Sequence, residues 1–347
     1  MSGTVSSSID FDKRGKQSGY LQAGDSTNNS GWAMFNLPIH SINSGAGPKV
    51  LIIGGNHGDE YEGQFAIANL IRELGANDIS GELIAIPSVS FLASFASTRL
   101  WADETNFNRI FPGDENGRIP QKIAHYLATE LIPRVDVVID IHSGGRGHHF
   151  LESATATWSA DKSYRSDLLK NLNGWNTRYS LIFPSHPGTN EQSLLPGHVA
   201  SLGKSLFTGE FGGSGITTAT SNRITRAALI SALKSVSLLK PDFQSKGYDH
   251  QIEISSREFI DMRSSDTYHW AEEEGIYQNK KRLGERVEKG EVIGAIHFPE
   301  SADRKPHLVI AAKSGTVGVI RGYPRVKRGD CLTLIGDSYS DLSQLPE

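Results

Sequence analysis

The sequence predicts an α/β unit over residues 1–245, a mixed sheet flanked by helices, followed by a small all-β unit over 246–347. Three observations point there. The apolar runs Val50-Leu51-Ile52-Ile53 and 135–141 each read as a buried strand and each end in a glycine-rich polar turn. Strand-like and helix-like segments alternate between about 50 and 238. Past Pro241 the texture changes to short β-like pieces separated by glycine turns.

Taken in order, 11–36 is polar and glycine-rich and predicts an irregular arm or an edge hairpin. Residues 62–74 predict a helix, because Phe65, Ile67, Ala68, Leu70, Ile71 and Leu74 make one apolar face. A strand is expected at 83–89, and a helix at 119–132 with Pro120 in its first turn. The 184–197 stretch, rich in Pro and Gly, is expected to form a loop long enough to cover a site. A last helix is expected at 221–239, closed by Pro241.

The informative strings lie at the predicted strand ends. Gly54-Gly55-Asn56-His57-Gly58-Asp59-Glu60 follows the first apolar run, and Asp140-Ile141-His142-Ser143-Gly144-Gly145 closes the second. Any one of the 12 histidines, taken alone, is an ordinary turn residue. Two of them at strand ends, with Glu60 three residues after His57, form a two-His-one-carboxylate set. Hydrolytic zinc is held by such a set, with a fourth position left for water. Open α/β sheets place their sites beyond the carboxyl ends of the strands, where both turns fall. The His-Glu-x-x-His helix motif is absent. Asp140 shares a strand face with His142 and is a candidate partner for its imidazole.

Two further segments add to this set. Thr105-Asn106-Phe107-Asn108-Arg109-Ile110-Phe111-Pro112-Gly113 is a polar loop whose Arg109 offers a planar fork matched to a carboxylate, with Asn108 beside it. Arg99, ten residues earlier than Arg109, is a candidate second cation. Glu210 follows a short apolar stretch and precedes Gly212-Gly213-Ser214-Gly215. No Gly-Lys-Ser/Thr follows, so this is not a phosphate loop.

Together, His57-x-x-Glu60, Asn108-Arg109, His142 and Glu210 resemble the succinylglutamate desuccinylase/aspartoacylase family of the zinc carboxypeptidase clan. The strings at 54–63, 108–113 and 140–145 are most similar to the branch that deacetylates N-acetyl-2,4-diaminobutyrate. The resemblance runs from about Gly19 to the C-terminus and implies a zinc-carboxypeptidase-like fold. It implies that His57, Glu60 and His142 hold one Zn2+ per chain and that Glu210 is the general base. It also implies that Asn108 and Arg109 bind the substrate carboxylate and that Arg99 supports the oxyanion. Phe107 and Phe211 stand where the family commonly has Leu, substitutions that could reshape the pocket. The implied activity is removal of a small acyl group, acetyl or succinyl, from an N-acyl amino acid. A carboxypeptidase-like zinc peptidase is the alternative, and a non-catalytic zinc-stabilised binding protein the third reading.

In the C-terminal unit the pattern Val-x-x-Gly-(Asp/Glu)-x-(Leu/Ile) recurs at 287–293 and 326–332. It resembles a biotinyl/lipoyl-type barrel-sandwich built from two related halves. The carrier motif is missing, because Ser301-Ala302-Asp303-Arg304-Lys305-Pro306-His307 contains no Met-Lys-Met, and Arg304 falls nearest the carrier position. Such a unit is expected to shape the rim of the site or an oligomer contact. His148 and His149 read as surface or loop residues, and His198 shares the 184–198 region with His186 and Glu191. Either His186 or Glu191 is a candidate contact for a substrate side chain.

Composition excludes several classes. The 347 residues are 37% hydrophobic and 21% charged, ordinary for a globular protein. A net charge of −4 supplies no basic field for nucleic acid. No apolar run reaches the ~20 residues of a membrane span, and residues 1–10 lack a signal-peptide pattern. A single cysteine, Cys331, forbids an internal disulfide and fits the cytoplasm. The expected partner is a small N-acyl amino acid, and a homo-oligomer is left open.

Overall fold

The computed structural model describes residues 5–158, 162–185, 191–245, 254 and 256–346. Four parallel strands form its centre, in the order Glu82–Ile86, Lys49–Gly54, Val137–His142 and Ser205–Gly213. From Val50 onward the first three of these are buried along their length, as strands covered on both faces must be. Their carboxyl ends share one edge, which brings the residues after Gly54 beside His142 and Glu210. His142 and Glu210 are direct register partners.

Alternation along the strands feeds two cores. Ile52, Ile139 and Ile141 face helices Glu62–Glu73, Lys162–Trp175 and Ala219–Ser235 through Ile67, Leu70, Leu172, Trp175 and Leu229. Leu51, Ile53 and Val138 face the other way, onto Leu37, Ile39, Ile123, Leu127 and Leu195.

The predicted elements are present with shifted bounds. The 11–36 region holds a long regular hairpin, Gly15–Thr27 against Ser30–Asn43, rather than an irregular arm. Its inward positions Leu21, Ala23, Phe35, Leu37 and Ile39 are buried, while Tyr20, Trp32 and Met34 point outward into solvent. The strand expected at 83–89 is Glu82–Ile86, and Pro87, which has no N–H to give a ladder, follows it directly. The helix expected at 119–132 is α-helical over Ile119–Tyr126 and widens to a π turn at Leu127–Leu131. Pro133 explains the widening, because it cannot donate to the carbonyl four residues back. The last helix runs Ala219–Ser235, begun by reciprocal bonds between Thr218 and Ser221 of 2.9 and 3.0 Å and halted before the left-handed Ser237 at φ 60°.

The late strands continue the same sheet. Glu258–Asp261 lies parallel to Tyr179–Phe183 and antiparallel to Cys331–Tyr339. Gly315–Arg321 pairs with both Cys331–Tyr339 and His148–Thr157. A second sheet joins His307–Ile310, Val292–His297, Gly275–Asn279 and Arg325–Val326. The repeated motif makes repeated bonds: Gly290 N to Ala311 O and Ala311 N to Glu291 O match Gly329 N to Ala271 O and Ala271 N to Asp330 O. Both motif glycines have positive φ, 89° and 90°. Arg304 lies over the Phe298 ring and pairs with Glu273, so its side chain is engaged in packing. Among the described residues no helix is long and apolar enough to cross a membrane.

Candidate active site

The strand Lys49–Gly54 delivers the chain into a turn with little freedom. Gly55 takes φ 58°, and a Cβ on Gly58 would lie 2.4 Å from the Ala93 backbone carbon. Gly58 N donates to Arg99 O at 3.1 Å, which fastens this turn to the loop that carries Arg99. His57 and Glu60 are thereby held over the sheet edge, before helix Glu62–Glu73 begins. His142 arrives as the last residue of its strand.

These three side chains meet. His57 Nδ1 lies 2.8 Å from Glu60 Oε1, and His142 Nδ1 lies 2.8 Å from Glu60 Oε2. One ligand atom from each falls within 4.8 Å of the other two, and all three residues are buried. The far nitrogen of each ring meets an oxygen. Asp140 Oδ2 is 2.8 Å from His142 Nε2, and Asn106 Oδ1 is 3.2 Å from His57 Nε2. With those oxygens accepting, each Nδ1 presents its lone pair to the cluster, the tautomer a metal ligand needs. Arg99 also approaches His57 Nε2, at 3.1 Å, and donates to Glu60 Oε1 at 2.7 Å. The Arg99 and Asn106 contacts call for opposite tautomers of His57, and the Asn106 contact is the one compatible with a cation at Nδ1. Buried His2Glu donors of this kind fit zinc.

The electrostatics agree. Burial pushes the Glu60 carboxyl up, but His57 and His142 outweigh it and hold it well below the usual range. Burial opposes charge on His142, yet Asp140 and Glu60 raise it well above an ordinary histidine. His57 is lowered, chiefly by burial. The cluster thus has a pronounced affinity for positive charge. Glu210 is pushed up to about 8, by burial first and then by Glu60. Its Oε2 has no partner among the described residues. A cation in the cluster would lower it again.

A cavity of about 560 Å³ opens over the cluster, a size suited to a small ligand. His57, His142, Glu210, Arg99, Asn108 and Arg109 all reach it, so every site residue expected from the sequence except the buried Glu60 lines its wall. Asn106 caps the Phe107–Arg109 turn by accepting from Asn108 N at 3.1 Å, and buried Phe107 anchors the turn against Phe111. Asn108 Oδ1 accepts from Leu195 N at 3.2 Å. Arg109 is half-buried and has no ion pair among the described residues, and its charged form is disfavoured by burial and by Arg99. An anion beside it would relieve both.

Several expectations are refined. Phe107 and Phe211 point into the cores, Phe211 with its ring 5.4 Å from that of Trp175, and neither lines the cavity. His148 and His149 open the strand His148–Thr157 and are half-buried rather than surface or loop residues; His148 approaches Cys331 O, His149 the Ser214 hydroxyl, and neither lines the cavity. His198 stacks on Phe111. Glu191 does line the cavity, whereas His186 lies outside the described residues. Sequence reasoning missed Asn106 behind His57, and Asn56, whose amide donates to Asp140 Oδ2 at 3.0 Å. Both stand inside quoted motif strings; Asn56 adjoins His57 in the sequence, whereas Asn106 reaches His57 only because its loop folds against that turn. The wall residues Thr155, Thr157, Trp158, Phe183 and Thr208 come from strands or strand ends that carried no motif.

A buried His2Glu cluster at the carboxyl edge of a parallel sheet, sharing its cavity with a carboxylate and a guanidinium that have no ion pair among the described residues, belongs to a hydrolase that opens amide bonds. Residues 46–236 match the succinylglutamate desuccinylase/aspartoacylase catalytic domain, and the chain belongs to that family. It is 29% identical over 339 residues to the N-alpha-acetyl-L-2,4-diaminobutyric acid deacetylase of Halomonas elongata, covering 97% of this chain and 96% of that one. Among solved structures it resembles the product-bound ectoine utilization protein EutE (DoeB) of Ruegeria pomeroyi. There the TM-score is 0.89 at 29% identity, over 97% of this chain and 100% of that one. A succinylglutamate desuccinylase from Silicibacter sp. TM1040 matches with TM-score 0.89 at 32% identity, over 96% and 98% of the two chains.

Proposed function

We propose that this chain is a zinc-dependent amidohydrolase that removes a small acyl group, acetyl or succinyl, from an N-acyl amino acid. The observation that carries the reading is that Glu210 and Arg109 both line the cavity that opens over the His57–Glu60–His142 cluster. Zinc held by His57, Glu60 and His142 supplies the positive charge that acidifies a water and polarises the scissile carbonyl. Arg109, with Asn108 holding its turn against Leu195, binds the substrate carboxylate and sets the amide over the cluster. Glu210 takes the proton of the attacking water and returns it to the departing amine nitrogen. Arg99 donates to the oxygen that becomes negative. Asp140 and Asn106 orient the two imidazoles.

We further take 1–245 as the catalytic unit and 246–347 as a barrel-sandwich unit of biotinyl/lipoyl-like type without a carrier lysine. The matched bonds of its two halves support this. A cytoplasmic location accords with the lone, partly buried Cys331. The test is to load the protein with zinc, offer N-acetyl and N-succinyl amino acids and short peptides, and quantify free amine with and without chelator. Chelator-sensitive release from N-acyl amino acids is expected. Release only of C-terminal residues from peptides would move the assignment to a peptidase.

A further inference from the structure

Register pairing between the two strands that deliver the ligand cluster ends at Gly54 and Ile141, short of His57, Glu60 and His142. Other contacts must therefore set the spacing of the two turns. Asp59, between the two ligands of the first turn, is only 5% exposed and reaches across to the second. Its Oδ2 accepts from Arg146 N at 2.8 Å. Gly145 makes room for it, since a Cβ at that position would lie 2.6 Å from both carboxylate oxygens, and its φ is 53°. Two further bonds cross between the turns. Asn56 meets Asp140, ahead of His142, and Ser143 N donates at 3.3 Å to Glu60 Oε2, an oxygen that a cation would share. Asp59 grips the second turn beyond Ser143. That part of the turn is also tied to the chain just after Glu210, by Gly144 N to Gly212 O at 3.1 Å and Gly215 N to Gly145 O at 2.7 Å.

Asp59 Oδ1 has no hydrogen-bond partner among the described residues. A buried oxygen without a donor costs folding free energy, so this carboxylate is a poor source of stability and points to a local task. We propose that Asp59 is a positioning residue that pins the His142 turn to the His57–Glu60 turn and thereby sets the affinity of the site for zinc. It acts through the backbone of Gly145 and Arg146 rather than on zinc or substrate. The proposal rests on the assignment of His57, Glu60 and His142 as the zinc ligands.

The test measures zinc affinity of the full chain by chelator competition, for wild type, Asp59→Ala, Asp59→Asn, Gly145→Ala and the double variant of both alanines. Backbone amide exchange over 143–148 is followed in the metal-free proteins. Asp59→Ala should weaken zinc by about 10- to 100-fold, the scale for a group that orients ligands from behind. Asp59→Asn should restore most of this, because its amide oxygen still accepts from Arg146 N and the other oxygen has no donor to lose. Gly145→Ala should match Asp59→Ala by displacing the carboxylate. The double variant should be little worse than either, since both changes break one contact. Exchange over 143–148 should quicken in Asp59→Ala. Wild-type zinc affinity in Asp59→Ala, or losses that add in the double variant, overturns the proposal. Quickened exchange with no zinc bound by wild type keeps the pin and removes the ligand assignment. Unchanged exchange with zinc bound by wild type removes the pin and keeps the ligands.

Discussion

Replacing Arg109 with alanine tests the substrate clamp. The side chain is half-buried, donates to Asn108 O at 3.2 Å, and has no acidic partner among the described residues, so its fork is available to a ligand. A bidentate bond to a carboxylate comprises two charge-assisted contacts. Hydrogen bonds to charged groups contribute about 1.5–3 kcal/mol each, and the partial exposure argues against the full sum. A net loss of about 2–4 kcal/mol corresponds to roughly 30- to 700-fold in kcat/KM. The assay is kcat/KM on an N-acetyl amino acid and on its carboxamide, for wild type, Arg109→Ala and Arg109→Lys. The acid should suffer the full loss and the amide little, because the amide offers no charge to the fork. Lysine should recover only part, since a point charge cannot make the paired contact. Equal losses on acid and amide would refute the argument and make Arg109 a support of the Phe107–Arg109 turn.

Glu210→Gln should lower turnover by at least ~100-fold while retaining stoichiometric zinc, read by kinetics beside metal analysis; near-normal turnover would exclude it as the base. His57→Ala and His142→Ala should lose the metal, and stoichiometric zinc in both would dissolve the ligand assignment. Asp140→Asn and Asn106→Ala should weaken zinc by about 10- to 100-fold in a chelator competition, as loss of the group behind a ligand imidazole does. Trp175→Ala removes a fully buried ring that packs on Phe207 and Phe211 and should cost about 3–5 kcal/mol in denaturant unfolding. His269 is buried with Nε2 accepting from Ala312 N at 2.9 Å, and burial lowers its proton affinity below that of the unfolded chain. Its contribution is therefore intact above pH ~6.5 and lost as pH falls below it, because the unfolded state then binds the extra proton. Comparing denaturant midpoints at pH 7.5 and 5.0, His269→Gln should show the smaller drop.

Much of this architecture was legible because the central strands are buried on both faces. Val50 to Ile53 and Val137 to Ile141 have no solvent side on which to place polar residues, so they stand out as apolar runs, and the turns that follow them hold the chemistry. The hairpin Gly15–Thr27/Ser30–Asn43 was obscure for the opposite reason. Its outward residues are free to be Gln, Asn, Ser and Gly, and its inward set includes Ala23, which dilutes the alternation. Ligand residues were legible from spacing, whereas Asn106 and Asn56 act through bonds that depend on where two loops meet. The cavity wall was illegible in kind: Thr155, Thr208 and Phe183 are neighbours only because an antiparallel strand is inserted between two others.

The position of that inserted strand has a further consequence. His148–Thr157 borders Glu210's strand, and its first residues also pair with Gly315–Arg321, while Tyr179–Phe183 is closed off by Glu258–Asp261. Cutting the chain near 245 would strip both neighbours at once, leaving two rows of naked amide groups beside apolar Leu151, Leu181 and Phe183. Such borders recruit other chains. The tail thus works as a selvedge, and a shortened version carrying every reactive residue would be expected to come off the ribosome ready to clump.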